Sequence, residues 1–273
     1  MNILVCFTTV PDVEMLADED WVIDKNLQID TSFLKPTLNS YDESALEIAL
    51  TLSDASESVK VPIELTALTI AGSGATTLLK TLNALRFKRL VRIDSHDDLR
   101  FRPMAIASIL TQYVFKLAPQ DVLLLGRQTR IGENARTHLL VAEMLGWPCI
   151  TQAIRIELVD MNHLMVTSQM DDGLLRQQIQ TPCVLSIGDA PNTYMRVPTL
   201  KDRMRYGKRP IETLSIKDFQ LPDETEELID LEVIHHRRAG ILIEGKSPEE
   251  KARKLYEGHL KRSVLVKERL AKN

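Results

Sequence analysis

Short apolar runs alternate with segments of helical period through the first 150 residues. Ile3–Phe7, Ile63–Ile70, Leu90–Ile93 and Val122–Leu125 are mainly apolar runs of strand length. Each leads into a segment that reads as a helix. Tyr41–Ser53 places Ala45, Ile48, Ala49 and Leu52 on one face, at i, i+3, i+4 and i+7. Ser40 and Glu43 have the spacing of a capping box at its start. Pro103–Lys116 gathers Ile106, Ile109, Leu110, Tyr113 and Val114 on one face, and Pro103 suits a first turn, where no N–H is needed. Asn134–Leu145 predicts a further helix, stopped by Gly146 and Pro148. Such alternation, with apolar strands, predicts a parallel sheet covered on both faces.

After residue 150 the pattern changes. Ile154–Val159, Leu164–Gln169, Leu174–Gln180 and Val184–Ile187 read as strands with no helix between them, and Asp171-Asp172-Gly173 is a hairpin turn. An antiparallel extension of the sheet is the expectation. Asn192–Pro210 mixes Pro, Lys and Arg without period and reads as a long surface loop followed by a basic segment. Asp218–Glu232 is acidic and reads as an extended linker. Ser247-Pro248-Glu249-Glu250 then supplies an N-cap, a first-turn proline and a capping glutamate. Ala252, Leu255, Tyr256 and His259 give that last helix a thin stripe. A tail of this kind is too small to fold alone and should lie on another surface.

Composition narrows the classes. With 44% hydrophobic residues in 273, the chain can build one substantial core. A net charge of −4 leaves no overall basic footprint for nucleic acid. No apolar run approaches the roughly 20 residues of a membrane-spanning helix. Ile3–Phe7 is too short for a secretory core and reads as a buried strand. Cys6, Cys149 and Cys183 are widely spaced among apolar neighbours, which predicts reduced core thiols in a cytoplasmic compartment.

In an open α/β sheet, ligands bind beyond the carboxyl ends of the strands. Thr8–Asp12, after the first strand, lacks the glycine-rich dinucleotide turn. Ala71-Gly72-Ser73-Gly74, after the second, reads as a simple tight turn or a weak ligand contact. The best candidate is the loop Gly126, Arg127, Gln128, Thr129, Arg130, Ile131, Gly132, Glu133, Asn134, Ala135, Arg136 and Thr137. Its glycines permit close backbone approach, and the helix it opens favours an anion. It reads as a single nucleotide phosphate site or as an ordinary surface loop. No Gly-Lys-Ser/Thr ending marks a triphosphate. Asn39, Ser40, Tyr41 and Asp42 form a second candidate, as a helix cap or an adenine- or ribose-binding turn. His235 and His236 read as solvated or partner-facing. No metal cluster, nucleophile elbow or catalytic acid–base pair stands out.

Together these stretches resemble the electron-transfer flavoprotein beta subunit, or FixA-like, family. The opening Asn2–Phe7 with Val10-Pro11-Asp12, the run Asn39–Glu47, the loop from Gly126, the Pro198–Leu200 region and the tail Arg238–Gly245 follow the family's order. Ala135-Arg136, His138, Thr8 and Thr9 depart from the usual residues and mark a divergent bacterial paralogue. The resemblance implies a three-layer Rossmann-like (adenine nucleotide alpha hydrolase-like) fold. Residues 1–210 would form a nucleotide-binding α/β domain, and residues 211–273 an extended C-terminal arm with a terminal helix, docked on the partner subunit. It implies an electron carrier with FAD held mainly by an alpha subunit and a structural AMP in this chain. Carried across, the AMP contacts are Cys6, Asn39 to Asp42, Ile70 and Gly126 to Thr137, and Leu200 anchors the segment that meets redox partners. Three other readings stay open: a flavin-bifurcating member with a second FAD in place of AMP, a stand-alone adenylating enzyme, and a nucleotide-sensing module.

Overall fold

The computed structural model describes residues 1–95, 97–129, 132, 135–191, 194–223, 228–234 and 240–261. Contacts divide the chain into two units, Met1–Leu231 and Glu232–Asn273. The first unit opens with β1 (Asn2–Cys6), a short pair β2 (Thr9–Pro11) and β3 (Pro36–Leu38), and the long helix α1 (Ser40–Val59). Then come β4 (Glu64–Ile70), α2 (Thr76–Ala84), β5 (Arg89–Asp94), α3 (Pro103–Gln112) and β6 (Val122–Gly126). The rest is α4 (Thr137–Leu145), β7 (Cys149–Leu158), β8 (His163–Met170), β9 (Gly173–Gln180), β10 (Cys183–Ile187), α5 (Leu200–Tyr206) and β11 (Glu212–Ser215).

Nine strands form one sheet in the order β11-β5-β4-β1-β6-β10-β7-β8-β9. The pairs from β11 to β7 are parallel, and β7–β8 and β8–β9 are antiparallel. Alternation along each strand feeds two cores. Ile3, Val5, Val122, Leu124 and Leu185 pack with Ala45, Ala49, Leu52 and Leu79, from α1 and α2. Leu4, Leu123, Leu125 and Val184 pack on the other face with Ile109, Tyr113 and Val141. The expected covered parallel sheet, helix faces and hairpin are all present.

Several expectations need correction. Val184–Ile187 belongs to the parallel sheet, as β10 between β6 and β7, not to an antiparallel extension. Its continuous burial suits a central strand. The stretch expected as a loop and basic segment contains α5, capped by Thr199, whose side chain accepts from the N–H of Asp202. Ser40 does not cap α1: Asn39 stands at the cap position without a side-chain cap bond, and Glu43 accepts from the N–H of Met195. The chain also stays in the sheet past residue 210. β11 pairs with β5, and Arg89 donates to both carboxylate oxygens of Glu212, at 2.7 and 2.9 Å. Ile216, expected in the arm, and Phe219, expected at the start of the linker, are buried in the α3–α4 core.

In the second unit, α6 (Pro248–Leu255) carries the expected cap: Ser247 accepts from the N–H of Glu250. The Glu250 carboxylate accepts from the N–H of Lys246 at 2.9 Å. Ile241, Leu242, Leu255 and Tyr256 are exposed. Among the described residues, no helix is long and apolar enough to cross a membrane.

Because Leu124 is fully buried, Leu124→Ala should lower the unfolding free energy by about 2–5 kcal/mol. Leu174→Ala on the exposed strand β9 should change it by less than about 0.5 kcal/mol. Urea unfolding of both variants checks the contrast.

Candidate functional site

The carboxyl ends of β1 and β6 meet the first turn of α1. Asp42 sits on the buried stripe of that helix, three residues before Ala45, so its carboxylate enters the core edge. Its Oδ2 accepts from the N–H of Thr8 and its Oδ1 from the N–H of Gly126, each at 2.9 Å. One turn earlier, Asn39 donates its N–H to the carbonyl of Thr8 at 3.0 Å, and its Nδ2 to the carbonyl of Gln128 at 2.9 Å. Two side chains thus join the strand ends to the loop that follows β6. Asn39 Oδ1 is buried and, among the described residues, has no hydrogen-bond partner.

Gly126 has a steric reason. A Cβ there would fall 2.3 Å from Asp42 Oδ1 and 2.8 Å from Tyr41 Cβ. Gly132 has φ +74, a conformation that glycine adopts without the usual penalty. Arg127 donates its N–H to the carbonyl of Ile187. Its guanidinium stacks over Tyr41 at 5.3 Å, bonds Gln152 Oε1 at 3.2 Å, and lies 3.8 Å from Asp189. This arginine braces the loop against β7 and the end of β10.

Burial pushes the Asp42 carboxyl up to about 7, opposed by its hydrogen bonds to Thr8, Asn39 and Gly126. Burial, and secondarily the charge of Asp42, raises the Cys6 thiol. All three cysteines carry free thiols, and burial raises Cys149 to about 11 and Cys183 to about 12. His138, buried in the first turn of α4, is pushed down to about 4 by burial and is neutral near pH 7. Among the described residues, no group of three His, Cys, Asp or Glu is placed to hold a metal.

The sequence candidates fall into three sets. Cys6, Asn39, Tyr41, Asp42, Gly126, Arg127 and Gln128 converge at this junction. Ser40 opens α1 and is exposed there. Thr129, Gly132, Ala135, Arg136 and Thr137 follow along the loop and into α4. Ile70 ends the neighbouring strand β4, where its side chain packs with the α3–α4 core. Leu200 is the exposed first residue of α5. Glu133 and Asn134, with Arg130, Ile131, His235 and His236, lie outside the described residues. Sequence reasoning missed the bracing pair Gln152 and Asp189, and the ion pair of Glu47 with Arg196. A charged residue within the apolar stripe of α1 was the available signal for Asp42.

A doubly covered parallel sheet, with its strand ends gathered by the first turn of one helix, defines a Rossmann-like α/β protein. The sequence profile of the electron transfer flavoprotein domain matches residues 26–219. The chain is 31% identical over 266 residues to the putative electron transfer flavoprotein subunit YgcR of Escherichia coli (strain K12), covering 97% of this chain and 99% of that one. It is 28% identical over 224 residues to the electron transfer flavoprotein subunit beta of Bacillus subtilis (strain 168), covering 80% and 83%. It is 26% identical over 239 residues to the acryloyl-CoA reductase electron transfer subunit gamma of Anaerotignum propionicum, covering 86% and 83%. The chain belongs to the electron transfer flavoprotein family, in its beta-subunit branch.

Removing Asp42 leaves the part-buried N–H groups of Thr8 and Gly126 without their acceptor. Asp42→Ala should therefore cost about 2–5 kcal/mol, and Gly126→Ala about 1–3 kcal/mol, in urea unfolding. The imidazole of His138 binds fewer protons folded than unfolded between pH 4 and 6.5. Its contribution to stability is therefore complete above 6.5 and is lost as pH falls towards 4. The stability difference between the protein and His138→Asn should shrink over that window, read from urea midpoints against pH.

Proposed function

We propose that the chain is the beta subunit of a heterodimeric electron-transfer flavoprotein that carries electrons between redox enzymes in the bacterial cytoplasm, with FAD held mainly by an alpha subunit. The observation that carries this reading is the likeness to YgcR, which runs almost end to end and takes in the arm as well as the sheet. The exposed Ile241, Leu242, Leu255 and Tyr256 support an arm that docks on the alpha subunit.

The junction suits an adenine nucleotide, and AMP is the ligand proposed for it. Among the described residues Asn39 Oδ1 is a buried acceptor without a donor, and an exocyclic amine or a ribose hydroxyl would supply one. The loop from Gly126 leads to the N-terminus of α4, a favourable end for a phosphate. Cys6, Asn39 to Asp42, Ile70 and Gly126 to Thr137 would line the site. The flavin, when bound, supplies the electron-accepting and electron-releasing chemistry.

The chain's own residues bind and position. Asp42 and Asn39 fix the loop to the strand ends, and Arg127 fixes it to β7 and β10. Both oxygens of Asp42 are engaged by backbone N–H groups, which suits holding rather than proton transfer. Leu200 is the proposed anchor for the redox partner.

Co-expression with an alpha-type subunit should yield a stable yellow complex, and the lone chain should purify poorly and colourless. A stable lone chain that binds no alpha-type subunit would contradict the proposal. ATP turnover by that lone chain would instead favour the adenylating reading.

A further inference from the structure

We propose that Glu47, acting through Arg196, is a positioning residue that sets the segment carrying Leu200. The inference rests on the reading of Leu200 as a partner anchor and gives that anchor its support. It starts from a buried charge. Glu47 is only 7% exposed, on the helix whose first turn holds the strand junction. A carboxylate in that setting is strongly disfavoured unless paired and hydrogen-bonded.

The pairing is complete and directional. Arg196 Nη2 and Nε reach Glu47 Oε1 at 2.7 and 2.9 Å, and the backbone N–H of Arg196 donates to Oε2 at 2.9 Å. Arg196 Nη1 bonds Asp54 further along α1. One turn before Glu47, Glu43 accepts from the N–H of Met195 at 3.0 Å. Glu43 and Glu47 share a helix face at i and i+4, so α1 catches two successive backbone N–H groups of the passing chain. The strong raising of the Arg196 guanidinium pKa, chiefly by its hydrogen bond to Glu47, agrees with the geometry.

The clamp sits where the chain most needs one. Between β10 and β11 the chain crosses from the middle of the sheet to its far edge, past β6, β1, β4 and β5. Just beyond Arg196, Val197, Leu200 and Met204 are 81%, 74% and 72% exposed. Apolar side chains held out in water do not anchor their own segment; something behind them must. Fixing that backbone before an encounter lowers the ordering entropy of binding. Because Asp42 and Glu47 lie on one helix, the exposed anchor is indexed to the strand ends at Thr8 and Gly126.

Limited trypsin digestion of the full-length chain reads the segment directly, since Lys201, Arg203 and Arg205 are exposed. Glu47→Gln and Arg196→Gln should each speed cleavage at those bonds at least tenfold. The double variant should be no faster than either single one, because the pair acts as a unit. Arg196→Lys should restore only part of the protection, since an ammonium cannot match the guanidinium fork. The thermal midpoint and cleavage elsewhere in the sheet domain are read alongside. Unchanged cleavage at the three bonds overturns the proposal, and so does acceleration that merely parallels cuts across the whole domain. Digestion needs neither flavin nor partner, so its failure and the absence of a yellow complex are separate results.

Discussion

One carboxylate organises the working edge of this molecule. Asp42 accepts from the N–H of Thr8, two residues beyond β1, and from the N–H of Gly126, the last residue of β6. Unpaired, those groups would oppose burial of the edge. The bridge also demands a glycine at 126, since any Cβ there meets the carboxylate. Strand end, helix start and loop start are therefore one mechanical unit. Asn39 extends it to the carbonyl of Gln128, and Arg127 ties it to β7 and β10. The residues proposed to hold the nucleotide belong largely to this unit.

The same helix works in two directions. Asp42 in its first turn grips the strand ends, and Glu43 and Glu47 grip the chain between β10 and β11. Glu47 and Asp42 are buried carboxyl groups that a helix stabilised only by apolar packing would not carry. Each is matched by specific donors, the arrangement that makes a buried carboxylate tolerable. An electron carrier has to present one surface to its cofactor-bearing companion and another to transient partners. A single rigid helix referencing both surfaces to the same core is a physical route to that end.

Most of the sheet was legible in the sequence because its strands are buried on both faces and so appear as unbroken apolar runs. Ile3–Phe7 and Val122–Leu125 could be placed on sight. Order within the sheet was not legible, because periodicity says nothing about neighbours; hence the misplacement of Val184–Ile187. The short helix at Leu200–Tyr206 lacks an apolar stripe, as its large side chains stay in water. The Thr199–Asp202 cap was its one available signal. Ser40 and Glu43 show the converse failure. Their spacing fits a cap, but Glu43 bonds the backbone of Met195, 152 residues away, which no local pattern encodes. The candidate residues were legible only as types at a strand end. Their bonding, with Asp42 as a structural bridge rather than a plain ligand contact, required the fold.

The proposed role makes this junction the frame of an adenine nucleotide site within a flavin-bearing heterodimer. The most direct measurement is the identity and number of nucleotides released by acid from the purified complex. One FAD and one AMP per heterodimer is the expected yield. FAD released with no second adenine nucleotide of any kind would contradict it.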